Sequence, residues 1–256
     1  MTIEALLGKP ELDQLLQGLR SADHIVVLTG AGVSAESGVP TFRDALTGLW
    51  SKFDPSDLAT PDAFARDPEL VSRWYDERRC NVAKCVPNAG HMALAKLQKI
   101  AVAQCKRFTL ITQNVDRLHQ ASGSTDLIEL HRTLWVWRCV DCGNQTEERG
   151  PAFTANPPRC CCGGTRRPAV VWFGEPLPGP ALLQAQRAAG SCNMFMSIGT
   201  SSLVHPAAGL IDLALQNSAR VLEINPDQTP YSHRVHWTIR GTSGDVLPQL
   251  VAAAFK

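Results

Sequence analysis

Short runs rich in apolar and β-branched residues recur along the chain, at His24 to Thr29, Phe108 to Thr112, Asp126 to Leu130, Ala169 to Phe173, Met194 to Ile198 and Arg220 to Ile224. Several lack the apolar–polar alternation of a half-exposed strand, so they predict strands of a sheet covered on both faces. Helical stretches lie between them: Gly90 to Ala103, Pro180 to Ala189, and Pro206 to Gln216, the last with proline at a first helical position. Strands alternating with helices predict an α/β fold with a doubly wound, mostly parallel sheet. Two regions interrupt the alternation. Residues 45–90 lack a strand pattern and carry helical signals around Pro61 to Phe64 and Glu69 to Arg79, while residues 136–167 combine cysteines with Gly, Pro and Asn. They predict two insertions that together form a smaller module against the main sheet.

Composition adds bounds. A chain of 256 residues with 44% hydrophobic and 19% charged residues can bury a sizeable core. Its formal net charge of +1 argues against nucleic-acid or membrane partners held by bulk electrostatics. The first twenty residues are amphipathic with acids at Glu4, Glu11 and Asp13, unlike a secretory or transit peptide. No run approaches the ~20 apolar residues of a membrane span, so a cytoplasmic location is expected.

Five of the nine cysteines fall between Cys139 and Cys162. Cys139 and Cys142 form a CxxC, and after 17 intervening residues come Cys160, Cys161 and Cys162. Two such clips suit a tetrahedral structural zinc better than a disulfide framework or a lone redox pair. The second clip can be read as CxC or CC.

Gly30-Ala31-Gly32 directly follows the first strand and opens GxGxxA, ending at Ala35. Glycines there allow a tight turn and close approach to a pyrophosphate at a helix N-terminus. A dehydrogenase would next need a strand ending in Asp or Glu about 20 residues on. Leu49 to Ser56 is a poor strand, and Gly38 and Pro40 end any helix early. Hydride chemistry is disfavoured.

The segments GAGVSAESGVPTFR (Gly30 to Arg43), TQNVDRLH (Thr112 to His119) and Glu129-Leu130-His131 resemble the sirtuins, NAD-dependent protein-lysine deacylases. So do RPAVVWFGE (Arg167 to Glu175), Gly199-Thr200-Ser201-Ser202 and Glu223-Ile224-Asn225, in the family's order, over about residues 20 to 250. The resemblance implies a Rossmann-like NAD-binding domain (residues 1–44, 91–135 and 168–256). A small domain would comprise a helical insertion (45–90) and a zinc-binding insertion (136–167). NAD is then a consumed co-substrate: nicotinamide leaves, and the acyl group passes from lysine to the 2′-hydroxyl of ADP-ribose.

The resemblance also implies roles. His131 is the catalytic base, a task histidine suits near neutral pH. Gly30, Ala31, Gly32, Ser34, Gln113, Asn114, Asp116, Gly199, Thr200, Ser201, Asn225 and Ser243 contact NAD, with Phe42 and Arg43 over the reacting centre. The peptide substrate adds as a strand along Arg167 to Glu175, with the Val171 carbonyl on the lysine Nε–H and Phe173 beside it. Trp172 or Phe173 could instead be ordinary core. Cys162 precedes Gly163-Gly164 as the family's last zinc ligand does, which selects Cys139, Cys142, Cys160 and Cys162 and leaves Cys161 spare. The family usually has Gly after the catalytic histidine, where this chain has Arg132.

Tyr75 and Arg78 lie three apart on one helix face, and together could bind a carboxylate through a guanidinium fork and a hydroxyl. This YxxR, with the small Ala59, resembles the class III branch that removes succinyl, malonyl and related acidic acyl groups, without precluding deacetylation. Protein mono-ADP-ribosyl transfer is the alternative using the same NAD cleavage. A zinc-ribbon module reading nucleic acid is disfavoured. Arg132, Arg138, Arg149, Arg159, Arg166 and Arg167 surround the cysteines, but Asp141, Glu147 and Glu148 dilute them.

Overall fold

The computed structural model describes residues 2–41 and 58–255. Phe42 and Arg43, and the weak-strand segment Leu49 to Ser56, lie outside the described residues. In chain order the elements are α1 (Ile3–Leu6), α2 (Lys9–Ser21), β1 (His24–Thr29), α3 (Gly32–Ala35), α4 (Pro61–Arg66), α5 (Pro68–Val82) and α6 (Ala89–Ala103). There follow β2 (Arg107–Thr112), α7 (Leu118–Ala121), β3 (Leu127–Glu129), β4 (Val136–Cys139), β5 (Gln145–Glu147) and β6 (Arg166–Pro168). The chain closes with α8 (Gly179–Ala189), β7 (Met194–Ile198), α9 (Gly209–Gln216), β8 (Arg220–Ile224), β9 (Trp237–Ile239) and α10 (Ser243–Ala254).

The large sheet is Rossmann-like, six parallel strands in the order β3-β2-β1-β7-β8-β9. Its continuous apolar runs have the expected cause. Along β1, Ile25 and Val27 pack on one face against Leu15, Leu19, Leu94 and Leu247, carried by α2, α6 and α10. Val26 and Leu28 face the other way, against Ala185, Ala189, Ile211 and Ala214 of α8 and α9. Every β1 residue is buried. Strand order reverses between β1 and β7, so the connections leave toward opposite faces and open a crevice at the strands' carboxyl ends.

Two insertions build a second layer. Strands β5-β4-β6 form a small antiparallel sheet around the cysteines. The helices α4 and α5 pack on it through a third apolar cluster that includes Ala59, Trp74, Tyr75, Trp137, Val170 and Trp172. Thr60 and Asp67 start these helices by accepting hydrogen bonds from Ala63 N and Leu70 N. Arg79 is the polar centre of the junction. Fully buried, it pairs with Asp76 at 2.6 Å and donates to the carbonyls of Glu148, Gly150 and Pro151. The other Asp76 oxygen accepts from Phe153 N. Among the described residues no helix is long and apolar enough to cross a membrane.

Two sequence expectations need correction, and one strand had no sequence expectation at all. Ala169 to Phe173 is not a strand of the main sheet. Its amides donate to three separate segments: Ala169 to Val136, Val171 to His131 and Phe173 to Ala59. The run is apolar because Val170 and Trp172 enter the third cluster. Pro206 does not begin a helix. Gly209, Leu210 and Ile211 donate three residues back, to Pro206, Ala207 and Ala208, so turns lead into a helix starting at Gly209. Finally, β9 pairs on the far edge as a strand of three residues, too short for its pattern to stand out.

Arg79→Met should lower unfolding stability by about 3–5 kcal/mol, since it leaves Asp76 buried without its partner and three carbonyls without donors. Urea denaturation of the full chain would measure this, and a loss under 1 kcal/mol would contradict the role given to Arg79.

Candidate functional site

The crevice floor is backbone against backbone. Gly30 N donates to Ile198 O and Gly32 N to Gly199 O, at 3.1 and 2.8 Å. A Cβ on Gly30 or Gly32 would stand 2.8 Å from the Gly199 carbonyl oxygen, and one on Gly199 would stand 2.6 Å from Val33 N. Gly199 also has φ +59°. The glycines are therefore required first by the contact between the β1 and β7 loops. The helix after them, α3, is a single turn.

Two polar networks rise from this floor. In the first, Ser34 Oγ donates to Asp116 Oδ2 at 2.7 Å and accepts from Asn114 Nδ2 at 3.1 Å. His91 Nε2 lies 3.3 Å from the same oxygen. Asn88 N donates to His91 Nδ1, so the His91 proton sits on Nε2 and points at Ser34. Burial lowers the His91 pKa to about 4, which keeps the ring neutral. Burial also raises the Asp116 carboxyl, opposed by hydrogen bonds from Leu118 N and Ser34. Ser34 thus uses its one donor and both acceptors inside the protein. Its hydroxyl positions Asn114 and Asp116, a task the sequence reading did not foresee.

In the second network, Gln113 Nε2 donates to Thr200 Oγ1 at 3.0 Å, and Asn225 Nδ2 donates to the Thr200 carbonyl at 2.7 Å. The Gln113 carbonyl lies 2.9 Å from His131 Nδ1. A carbonyl only accepts, so the His131 proton is on Nδ1 and the Nε2 lone pair is open. Burial holds the His131 pKa below its ordinary value, partly countered by that hydrogen bond. At neutral pH the half-buried imidazole is unprotonated and able to accept a proton.

Ala31 is exposed on the glycine loop and Ser201 half-buried after Thr200. The Ser243 hydroxyl donates to Glu36 Oε2 at 3.2 Å, alongside Thr242 Oγ1 and Gly244 N. Glu36 thereby ties the glycine loop to the start of α10 across more than 200 residues, a contact without local sequence signal.

Ala59, Tyr75 and Trp172 share the third apolar cluster. The Tyr75 and Trp172 ring centroids are 6.1 Å apart, and the Arg78 guanidinium lies 4.7 Å from the Trp74 ring centroid and 5.9 Å from that of Tyr75. Burial pushes the Tyr75 hydroxyl up to about 12, eased by Arg78. Burial likewise lowers the Arg78 pKa, with Tyr75 opposing. Of the aromatic pair after Val171, Trp172 is core at 2% exposure and Phe173 is 45% exposed. Arg167, read from sequence only as the start of the substrate edge and one of the basic residues near the cysteines, shapes this loop: it stacks 3.2 Å from the Trp172 ring centroid and forks onto Glu175 at 2.6 and 2.9 Å.

The sulfurs of Cys139, Cys142, Cys160 and Cys162 all lie within 4.8 Å of one another. The Cys139–Cys162 and Cys142–Cys160 separations are 3.6 and 3.7 Å. A tetrahedral thiolate site with bonds of about 2.3 Å has edges of about 3.8 Å, so the cluster fits a structural metal. Cys161 stays outside the set, its sulfur 3.9 Å from that of Cys160.

A parallel sheet carrying its polar residues at the switch point, joined to a four-cysteine module, defines a doubly wound α/β protein with a metal-suited insertion. The model of the Sir2 family matches residues 30–206. The NAD-dependent protein deacylase of Methylococcus capsulatus is 48% identical over 250 residues, 94% of this chain and 96% of its own. That of Aquifex aeolicus is 51% identical over 208 residues, 81% and 85% of the two chains. A solved Sir2 homologue–NAD complex superposes with a TM-score of 0.89 at 42% identity, covering 94% of this chain and 93% of that one. The structure of a Sir2 protein bound to acetylated peptide gives 0.84 at 27% identity, covering 94% and 98%. The chain belongs to the Sir2 family.

Gly199→Ala should destabilise the chain by more than about 2 kcal/mol, because strain at positive φ adds to a backbone clash. A thermal melt unchanged from wild type would remove the loop–loop contact as a constraint.

Proposed function

We propose that this chain is an NAD-dependent protein-lysine deacylase with a preference for acidic acyl groups such as succinyl and malonyl, retaining some deacetylation. The observation that carries the deacylase reading is His131. It stands after β3 at the crevice, oriented through Nδ1, with Nε2 available as a base. The relatives' shared activity and the NAD-bound homologue support the same reading. NAD supplies an activated ribose that loses nicotinamide and receives the acyl group.

The chain's own residues divide the work. The glycine loops and Thr200, Ser201 and Asn225 line the side proposed for the phosphates and adenosine, with Ser243 at its adenine end. Gln113, Asn114 and Asp116 line the side proposed for the ribose and nicotinamide, and the resemblance assigns Phe42 and Arg43, outside the described residues, to its cover. His131 takes a ribose proton. The Val171 carbonyl holds the lysine Nε–H while the peptide lies as an added strand along 167–175, with Phe173 against it. Residues 1–44, 91–135 and 168–256 form the NAD-binding domain, with 45–90 and 136–167 as the small domain. The four clustered thiolates would hold Zn2+ in a closed shell without an open position, which is a structural role.

The acyl preference rests on Arg78 and Tyr75 beside Trp172 and Ala59. A half-buried guanidinium beside a protonated phenol is the donor set that would suit a carboxylate at the end of an acyl chain.

A panel of acetyl-, succinyl- and malonyl-lysine peptides tests this, reading nicotinamide release and the mass of acyl-ADP-ribose. Arg78→Met should lower kcat/KM for succinyl-lysine about ten- to a hundred-fold more than for acetyl-lysine. Equal losses would reject the carboxylate pocket, and ADP-ribosylated protein in place of acyl-ADP-ribose would reject deacylation.

The depressed His131 pKa has a defined sign. Base catalysis needs the neutral ring, so kcat/KM should hold down to pH 6.5 and fall only below it. An acid limb centred above 6.5 would contradict His131 as the base in this environment.

A further inference from the structure

Arg132 follows His131 directly and adopts φ +60°, a backbone conformation unfavourable to any residue bearing a Cβ. The turn cannot relax, because it is pinned on both sides. Leu130 N donates to Thr112 O, and the His131 ring donates to the Gln113 carbonyl. Thr133 Oγ1 and Leu134 N both donate to Val115 O. Glycine would take this φ without strain. An arginine here needs a reason other than folding.

The side chain gives no internal one. Arg132 is exposed and makes no hydrogen bond or ion pair with any described residue. What lies beside it is the 169–175 segment, since Val171 N donates to the His131 carbonyl at 3.2 Å. Around that segment two guanidiniums face one carboxylate. Arg167 and the half-exposed Arg138 share the single carboxylate of Glu175. A chain laid along it would meet an unpaired guanidinium at the mouth of the catalytic crevice.

We propose that Arg132 determines substrate specificity by pairing with an acidic side chain of the protein substrate close to the acyl-lysine. The proposal rests on the reading of 167–175 as the substrate edge of a deacylase. The pair would be solvent-exposed, so its effect is modest, salt-sensitive and expressed in KM rather than kcat. It concerns residues flanking the lysine and is separate from recognition of the acyl group by Tyr75 and Arg78.

The test uses acyl-lysine peptides identical except for Asp or Glu, Gln, or Lys at the flanking positions, each made with acetyl and with succinyl groups. For wild type, acidic flanks should raise kcat/KM about two- to five-fold over Gln at low salt, through KM, with the advantage fading near 1 M salt. Arg132→Gly should bring the ratio to about one, Arg132→Lys should keep most of it, and Arg132→Glu should invert it. Melting curves confirm that the variants are folded. An acidic-to-neutral ratio equal in wild type and Arg132→Gly overturns the proposal while leaving the deacylase reading intact. So does a change that follows the acyl group rather than the flanks. Wild type without activity on any acyl-peptide overturns both.

Discussion

The site depends on one contact, the packing of the loop after β1 onto the loop after β7. At a switch point the connections of neighbouring strands diverge, and a crevice results whatever the sequence. In this chain the two loops are drawn together at their start, with main-chain atoms of Gly32 and Gly199 in hydrogen-bond contact and no room for a Cβ on either side. Ser34 follows one loop and collects Asn114, Asp116 and His91. Thr200 follows the other and collects Gln113 and Asn225. The contact therefore sets the spacing of two hydrogen-bond networks contributed by strands far apart in sequence.

The small module is joined to this frame by a different kind of interaction. Trp172 and Val170 come from the segment that leaves the small sheet, Ala59 and Tyr75 from the helical insertion, and all four meet in one apolar cluster. Arg79 adds direction to a contact that apolar packing alone would leave free to slide. Its donors are distributed over Asp76 and three carbonyls of the cysteine-bearing insertion. Arg167 does the same for the 168–175 loop through Glu175.

Much of this was legible because burial on both faces of a parallel sheet writes an unbroken apolar run. The same physics misled at Ala169 to Phe173, where apolarity comes from packing between modules, and failed at Trp237 to Ile239, where three residues carry no pattern. The motifs located the crevice residues, since those follow the carboxyl ends of β1, β2, β3, β7 and β8 as the fold demands. They could not reveal the partners of Ser34, which lie 57 to 82 positions away. Spacing drew attention to Arg78, yet its neighbour Arg79 is the one wholly enclosed. One residue along a helix turns a side chain by about 100°, enough to carry it from the half-buried face to the module junction.

The orientation of His131 has a consequence for how the proton moves. Many catalytic histidines are steadied by a carboxylate, which also stabilises the imidazolium once formed. Here the steadying group is the neutral amide carbonyl of Gln113. A carbonyl fixes the tautomer but offers the cation less, and the partly enclosed ring disfavours it further. As the proposed base, His131 would therefore give up its proton more readily than a histidine steadied by a carboxylate.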